Sequence, residues 1–247
     1  MSLAGRRILV TRPPAQSARL MALLSDAGAE PLPLPVLDIV PDERALAALP
    51  TLAEAADWLI FVSPSAIDAA WPVLARRKLK LKARLACVGA ASAAKLAALS
   101  GRAVLHPRDG SDSAALLALP ELQRLAGQRV LIVRGVGGRA ELGETLTARG
   151  ARLTLAEVYR RVDGEPDWSL LEQPVDALVL TSSDTAERLF RLAGRSRSLT
   201  LQCLLYCVPH PRIAATLAAH GVTRIVTTQA DDAALVAGLS EWFTRHP

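Results

Sequence analysis

Aromatic residues are scarce in this chain of 247 residues: three Phe, two Tyr and four Trp. None is interleaved with the basic clusters, Arg76-Arg77-Lys78 with Lys80, Lys82 and Arg84, and Arg191 to Arg197. A stacking surface for single strands is therefore not expected, and each cluster reads as a solvated helix end. Three cysteines, Cys87, Cys203 and Cys207, are too few for a disulfide framework and lack His or Cys partners at metal-ligand spacing. They read as buried free thiols, with Cys203 and Cys207 facing the same way from one apolar strand. No apolar run approaches the roughly 18 residues of a membrane span. The start, Met1-Ser2-Leu3-Ala4-Gly5-Arg6-Arg7, has no signal-peptide core, so a cytoplasmic location is expected. The ordered glycines of a dinucleotide fingerprint, the Gly-Lys-Ser/Thr ending of a P-loop, a Ser-His-Asp context and paired carboxylates are also missing.

What is there is an apolar, mildly basic chain. About half of it is hydrophobic, and 29 Lys and Arg against 24 Asp and Glu leave a formal charge of +5. That excess is a general attraction for anions. Alanine and leucine dominate, as in α/β proteins whose small-residue helices pack on sheets.

The chain repeats itself. Arg7-Ile8-Leu9-Val10-Thr11-Arg12 resembles Val130-Leu131-Ile132-Val133-Arg134, and each is followed by a helical pattern and a Gly-Ala step, at Gly28-Ala29 and Gly150-Ala151. Trp58-Leu59-Ile60-Phe61-Val62-Ser63 resembles Ala177-Leu178-Val179-Leu180-Thr181-Ser182, and Leu85-Ala86-Cys87-Val88 resembles Leu205-Tyr206-Cys207-Val208. Asp112-Ser113-Ala114-Ala115-Leu116 matches Asp232-Ala233-Ala234-Leu235. The matches recur about 120 residues apart, beyond coincidence. Each unit is a short apolar run followed by helical spacing, for example Leu20, Leu23, Leu24 and Ala27, which predicts doubly wound parallel sheets, one per half. Pro31 to Pro41 and Leu153 to Val162 break the pattern as extended segments. Paired there, they form an interdomain ladder; unpaired, they leave two tandem domains split near Gly127.

In parallel sheets ligands bind beyond the carboxyl ends of the strands. The residues there are Thr11-Arg12, Ser63-Pro64-Ser65, Gly89 to Ser92, Arg134-Gly135-Val136-Gly137-Gly138-Arg139, Thr181-Ser182-Ser183 and Pro209-His210-Pro211-Arg212. Hydroxyls and glycines at helix starts present amides to carboxylates or phosphates, although each serine also reads as a helix cap. His210, between two prolines, reads first as a turn residue. Tyr159 falls in the second extended segment, where it reads first as packing; a phenol keeps its proton at neutral pH and can donate it.

In order and spacing these motifs resemble the uroporphyrinogen-III synthase family over nearly the whole chain, from Ile8-Leu9-Val10-Thr11-Arg12-Pro13 to Asp232-Ala233-Ala234-Leu235. Phe61-Val62-Ser63-Pro64-Ser65-Ala66, Val88-Gly89, Arg134-Gly135 with Gly138-Arg139, Val158-Tyr159-Arg160, Thr181-Ser182-Ser183 and His210-Pro211-Arg212-Ile213-Ala214 carry it. One departure is the helix start after Val88-Gly89, where many members have threonine and this chain has Ala91 and Ser92.

The resemblance implies two α/β domains joined by a two-stranded ladder, residues 1–35 with 163–247 and residues 36–162, with linker strands near 33–41 and 153–162. It implies an enzyme that closes hydroxymethylbilane, which carries eight carboxylates, into uroporphyrinogen III in a cleft between hinged domains, with no cofactor and no metal. Ring A loses its hydroxyl, the cation is attacked at the substituted position of ring D, and a spiro intermediate reopens with ring D reversed. Tyr159 matches the family's proton donor. Thr11, Arg12, Ser63, Ser65, Gly89, Ser92, Arg134, Gly135, Gly138, Arg139, Ser182, Ser183, His210 and Arg212 are the implied substrate contacts. The expected state is a monomer without nucleic-acid or membrane partners, in at most transient contact with the preceding pathway enzyme. A non-catalytic tetrapyrrole or anion-binding module of the same fold is the alternative; a two-domain ligand sensor and a nucleotide-dependent transferase fit less well.

Overall fold

The computed structural model describes residues 3–76, 81–110, 112–138 and 140–246. In chain order the first repeat contains β1 (Arg7–Val10), α1 (Pro14–Asp26), β2 (Glu30–Pro33), β3 (Leu37–Pro41), α2 (Glu43–Ala55), β4 (Trp58–Phe61), α3 (Pro64–Arg76), β5 (Arg84–Cys87), α4 (Ala90–Ser100), β6 (Val104–Leu105) and α5 (Ser113–Leu117). The second contains β7 (Arg129–Gly135), α6 (Glu141–Ala148), β8 (Arg152–Asp163), β9 (Ala177–Val179), α7 (Ser183–Gln202), β10 (Leu205–Val208), α8 (Pro211–Ala219), β11 (Ile225–Thr227) and α9 (Asp232–Arg245).

The chain divides into two compact units. One holds the chain up to Asp38 and again from Val162; the other holds Ile39–Arg161. The first has a five-stranded sheet in the order β2-β1-β9-β10-β11, parallel throughout. The second has the order β8-β7-β4-β5-β6, again parallel, with β3 flanking β8 at the edge. Matched through the repeat, the two orders are the same. Each unit takes its first two strands from one repeat and its last three from the other. The chain leaves the first unit within β3 and returns within β8.

These strands are apolar on both faces because both faces are covered. Along β4, Trp58 and Ile60 enter one core with Leu142 and Leu146 of α6, while Leu59 and Phe61 enter another with Ala66 and Ile67 of α3. In the first unit Ile8 and Val10 of β1 pack with Leu20 and Leu24 of α1, while Leu9 packs with Leu189 and Phe190 of α7. The Gly-Ala steps close α1 and α6 in the same way: Gly28 and Gly150 have φ of 91° and 90°, a region open to glycine, and the Ala29 and Ala151 amides bond back to Leu24 and Leu146.

Two local expectations change. Cys203 lies outside the strand: it ends α7 and is exposed, because β10 begins only at Leu205. Cys87 and Cys207 are buried, and desolvation pushes each thiol up to about 12. Arg191 to Arg197 do span a helix end: α7 is two helices that meet at Gly194, whose φ of 64° and ψ of −175° are not helical. The other cluster falls partly outside the described residues, at Arg77, Lys78 and Lys80. Finally, the aspartate equivalent to Asp112 is Asp231, one residue earlier than the sequence match: Asp112 and Asp231 cap α5 and α9, accepting the Ala115 and Ala234 amides.

Candidate active site

In each unit two adjacent strands send their helices to opposite faces, which opens a crevice at their carboxyl ends. In the second unit these strands are β7 and β4; in the first they are β1 and β9.

At the β7/β4 crevice, Ser63 stands before α3 and caps it. Its Oγ accepts the Ala66 amide at 3.1 Å, and its carbonyl accepts that of Ile67 at 3.3 Å. The same Oγ lies 3.1 Å from Oη of Tyr159. Tyr159 arrives there through a bulge in β8. Arg134 pairs with Glu157 but Gly135 pairs with Tyr159, so Val158 is an extra residue, and Val158 and Tyr159 are buried consecutively. A regular strand would send them to opposite faces, whereas both enter the same core. The Val136 amide donates to the Tyr159 carbonyl at 2.8 Å and holds the bulge. Gly135 is packed against the ring: a Cβ there would lie 2.5 Å from Cζ and 3.0 Å from Oη. The Arg161 guanidinium lies 5.9 Å from the ring centroid.

Arg134 braces the glycine turn after β7. It is buried, and its guanidinium donates to the carbonyls of Gly135 and Gly138 and faces Glu157 at 3.6 Å. A Cβ at Gly138 would lie 2.7 Å from the Arg134 Nη2, so a side chain there would push the guanidinium from its place. Arg139 lies outside the described residues. Gly89 precedes α4 in an extended conformation with no side-chain cap, which leaves first-turn amides for an anion. Ser65 and Ser92 are buried in the first turns of α3 and α4.

At the β1/β9 crevice, Thr11 is fully buried and its hydroxyl donates to the Val179 carbonyl at 3.0 Å, tying the two strand ends together. Arg12 bonds Asp232 at 2.6 Å and Thr181 Oγ1 at 3.4 Å. Ser182 caps α7 through the Thr185 amide and shares a 2.7 Å hydrogen bond with Thr185 Oγ1. The Ser183 hydroxyl oxygen is buried and has no hydrogen-bond partner among the described residues. His210 is exposed and caps α8, its Nδ1 accepting the Arg212 amide at 3.1 Å; Arg212 is exposed beside it.

Tyr159, Ser63, Gly135, Gly138 and Arg134 thus share one crevice, and Thr11, Arg12, Ser182 and Ser183 share another. Sequence reasoning missed Asp232 as the counter-ion of Arg12, because it stood only as a repeat marker. It also missed the pairing of Ser63 with Tyr159, for which a linear sequence holds no signal across a bulge. Among the described residues no group of three or more His, Cys, Asp or Glu is placed to hold a metal, and no helix is long and apolar enough to cross a membrane.

Residues 18–237 match the family model described as Uroporphyrinogen-III synthase HemD. The uroporphyrinogen-III synthase of Escherichia coli K12 is 36% identical over 200 residues, covering 75% of this chain and 79% of that protein. That of Synechococcus elongatus is 31% identical over 201 residues, covering 77% and 75%. Among solved structures, a mutant uroporphyrinogen III synthase from the extremely thermophilic bacterium Thermus thermophilus aligns over 98% of this chain and 100% of its own, with a TM-score of 0.62 at 20% identity. The Helicobacter pylori enzyme aligns over 98% and 100%, with a TM-score of 0.55 at 15% identity. At those identities the structures speak for the α/β fold with parallel sheets.

Proposed function

The chain belongs to the uroporphyrinogen-III synthase family, and on that premise we propose that the β7/β4 crevice is where the reaction's proton is supplied, with Tyr159 as its source. The enzyme closes hydroxymethylbilane to uroporphyrinogen III, with loss of water and inversion of ring D. The first step needs an acid, because hydroxide is a poor leaving group and departs as water once protonated. The observation that carries the reading is Tyr159 itself: a buried phenol brought inward by a bulge, packed against a glycine and hydrogen-bonded to a serine at the carboxyl end of a parallel sheet.

The substrate's carboxylates need donors. The uncapped start of α4 at Gly89 with Ser92, Ser65 in α3, the starts of α7 and α8 at Ser182, Ser183, His210 and Arg212, and Arg12 supply them in this reading. The unpartnered Ser183 hydroxyl supports it, since a buried donor without a partner is costly unless a ligand completes it. Thr11, Arg134 and Gly138 act by fixing the loops that present these groups. Binding spread over many amides also keeps the flexible chain in the geometry that leads to ring inversion, because the unassisted substrate closes without it.

The test is the isomer ratio of uroporphyrin formed from fresh hydroxymethylbilane, separated by chromatography after oxidation. The protein yields mostly isomer III. Tyr159→Phe lowers the rate of isomer III formation by roughly 100-fold or more, the usual contribution of a general acid. An unchanged rate would remove Tyr159 from the chemistry.

A further inference from the structure

We propose that the proton from Tyr159 reaches the departing hydroxyl through Ser63, so that Ser63 Oγ, rather than the phenol, is the atom that meets the substrate. The proposal rests on the reading of Tyr159 as the acid and adds a second catalytic residue to it.

Burial orders the pair. Tyr159 retains only 2% of its exposure, whereas Ser63 is half-buried, so the serine is the outer member. Either oxygen could donate across the 3.1 Å contact, but Ser63 Oγ is the one hydrogen-bond acceptor that the Tyr159 O–H has among the described residues, so the relay takes the phenol as donor. A serine hydroxyl has one O–H and two lone pairs. The Ala66 amide fills one lone pair at 3.1 Å, and the phenol, 3.1 Å away, fills the other by donating. The serine's own O–H is then the one donor left to point out of the crevice. A Cβ at Gly135 would lie 3.0 Å from Oη, so the phenol is closely packed there, and Ser63 is the hydrogen-bond partner of Oη among the described residues. A hydroxyl that accepts two hydrogen bonds is a stronger donor through the third.

The step balances without another reagent. The O–H bond of Tyr159 breaks as its proton passes to Ser63 Oγ, and the Ser63 proton passes to the hydroxyl oxygen of the substrate. The carbon–oxygen bond of that hydroxymethyl group breaks, and water leaves. The phenolate remains, accepting a hydrogen bond from the reprotonated Ser63 at the positive end of α3. When the closed macrocycle sheds a proton to restore its last pyrrole, that proton returns by the same path to Tyr159.

The experiment compares single-turnover rates of isomer III formation in the intact protein, Ser63→Ala, Ser63→Thr, Tyr159→Phe and the double variant. The relay predicts that Ser63→Ala and Tyr159→Phe each lose roughly 100-fold in rate with KM little changed, and that the double variant loses no more than the worse single. Ser63→Thr, which keeps the hydroxyl, retains most of the rate. In mixtures of light and heavy water the rate of the intact protein bows below a straight line, as two protons moving together require. Full activity in Ser63→Ala with Tyr159→Phe inactive would overturn the relay and leave Tyr159 as the direct donor; full activity in Tyr159→Phe would overturn the reading beneath it. Additive losses, a rise in KM alone or a straight-line solvent dependence would each overturn the relay. The last needs no variant, so it holds even if removing the cap at Ser63 prevents folding.

Discussion

Tyr159 and Gly135 share a space that holds one ring and no second Cβ. The requirement at Gly135 is therefore steric rather than conformational, since its φ is not in the left-handed region. Gly135→Ala forces its methyl to within 2.5 Å of Tyr159 Cζ, so the ring must move and Oη must leave Ser63. The expected outcome is a loss of isomer III formation approaching that of Tyr159→Phe, with stability lowered by about 1–3 kcal/mol, the usual cost of overpacking. A chromatographic rate assay beside a urea titration checks both; full activity would mean that the ring has room to shift without losing its partner. Little of this was legible in the sequence. Tyr159 could be singled out as a phenol in an extended segment, and Gly135 as part of a glycine-rich turn. That they touch depends on one extra residue, Val158, which changes the register of β8 without leaving a compositional trace.

At the scale of elements the repeat was the most legible feature, because strands buried on both faces are uninterrupted apolar runs that align by eye. Short polar contacts were less so. Asp57 and Asp176, just before β4 and β9, carry out the same task in the two sheets: each carboxylate accepts the first amide of the neighbouring strand, Arg129 of β7 or Arg7 of β1, at 2.8 Å. Each also donates its own amide to that residue's carbonyl, at 2.8 and 2.9 Å. This clamp fixes strand register at the amino ends of both sheets, and two isolated aspartates in loops do not announce it. Hydrogen bonds from the Arg129 side chain and amide hold the Asp57 carboxyl below the usual carboxylate range. A depressed folded-state value means the stabilisation is present above the unfolded value, near 4, and fades as pH falls through the folded one. Asp57→Asn is therefore expected to destabilise at pH 7 by at most about 0.5 kcal/mol, because both side chains are largely in solvent, and to match the parent near pH 2. Denaturant midpoints at the two pH values decide it; a gap that persists in acid would assign the effect to geometry rather than charge. The misread Cys203 has a similar origin. The apolar run around it continues across a helix end into β10, and periodicity alone does not mark where one element stops.

At the scale of the whole molecule each of the four buried cores lies within one of the two units. The second unit is continuous in sequence, Ile39–Arg161, and contains β4 to β7 entire with most of β8. Produced alone, that segment should unfold in a single cooperative urea transition followed by circular dichroism, as expected for a domain with its own core. A gradual, non-cooperative loss of signal would show that its stability depends on the rest of the chain. The repeat announces two sheets, yet by itself it pairs β1 and β2 with β4 to β6; which strands complete which sheet is decided by the crossings within β3 and β8.

Because the first sheet joins β1 and β2 to strands that come more than 140 residues later, it has no complete form while the chain is being made. The amino-terminal βαβ segment leaves the ribosome first and then waits while the continuous unit is synthesised and folds, on the order of ten seconds at cellular elongation rates. Throughout that interval Ile8, Leu9, Val10, Leu20 and Leu24, all fully buried at the end, lack β9, α7 and α9, which complete their cover. The newborn chain thus carries an incompletely covered apolar segment ahead of a finished domain, and its yield is expected to depend on how quickly the last third is translated.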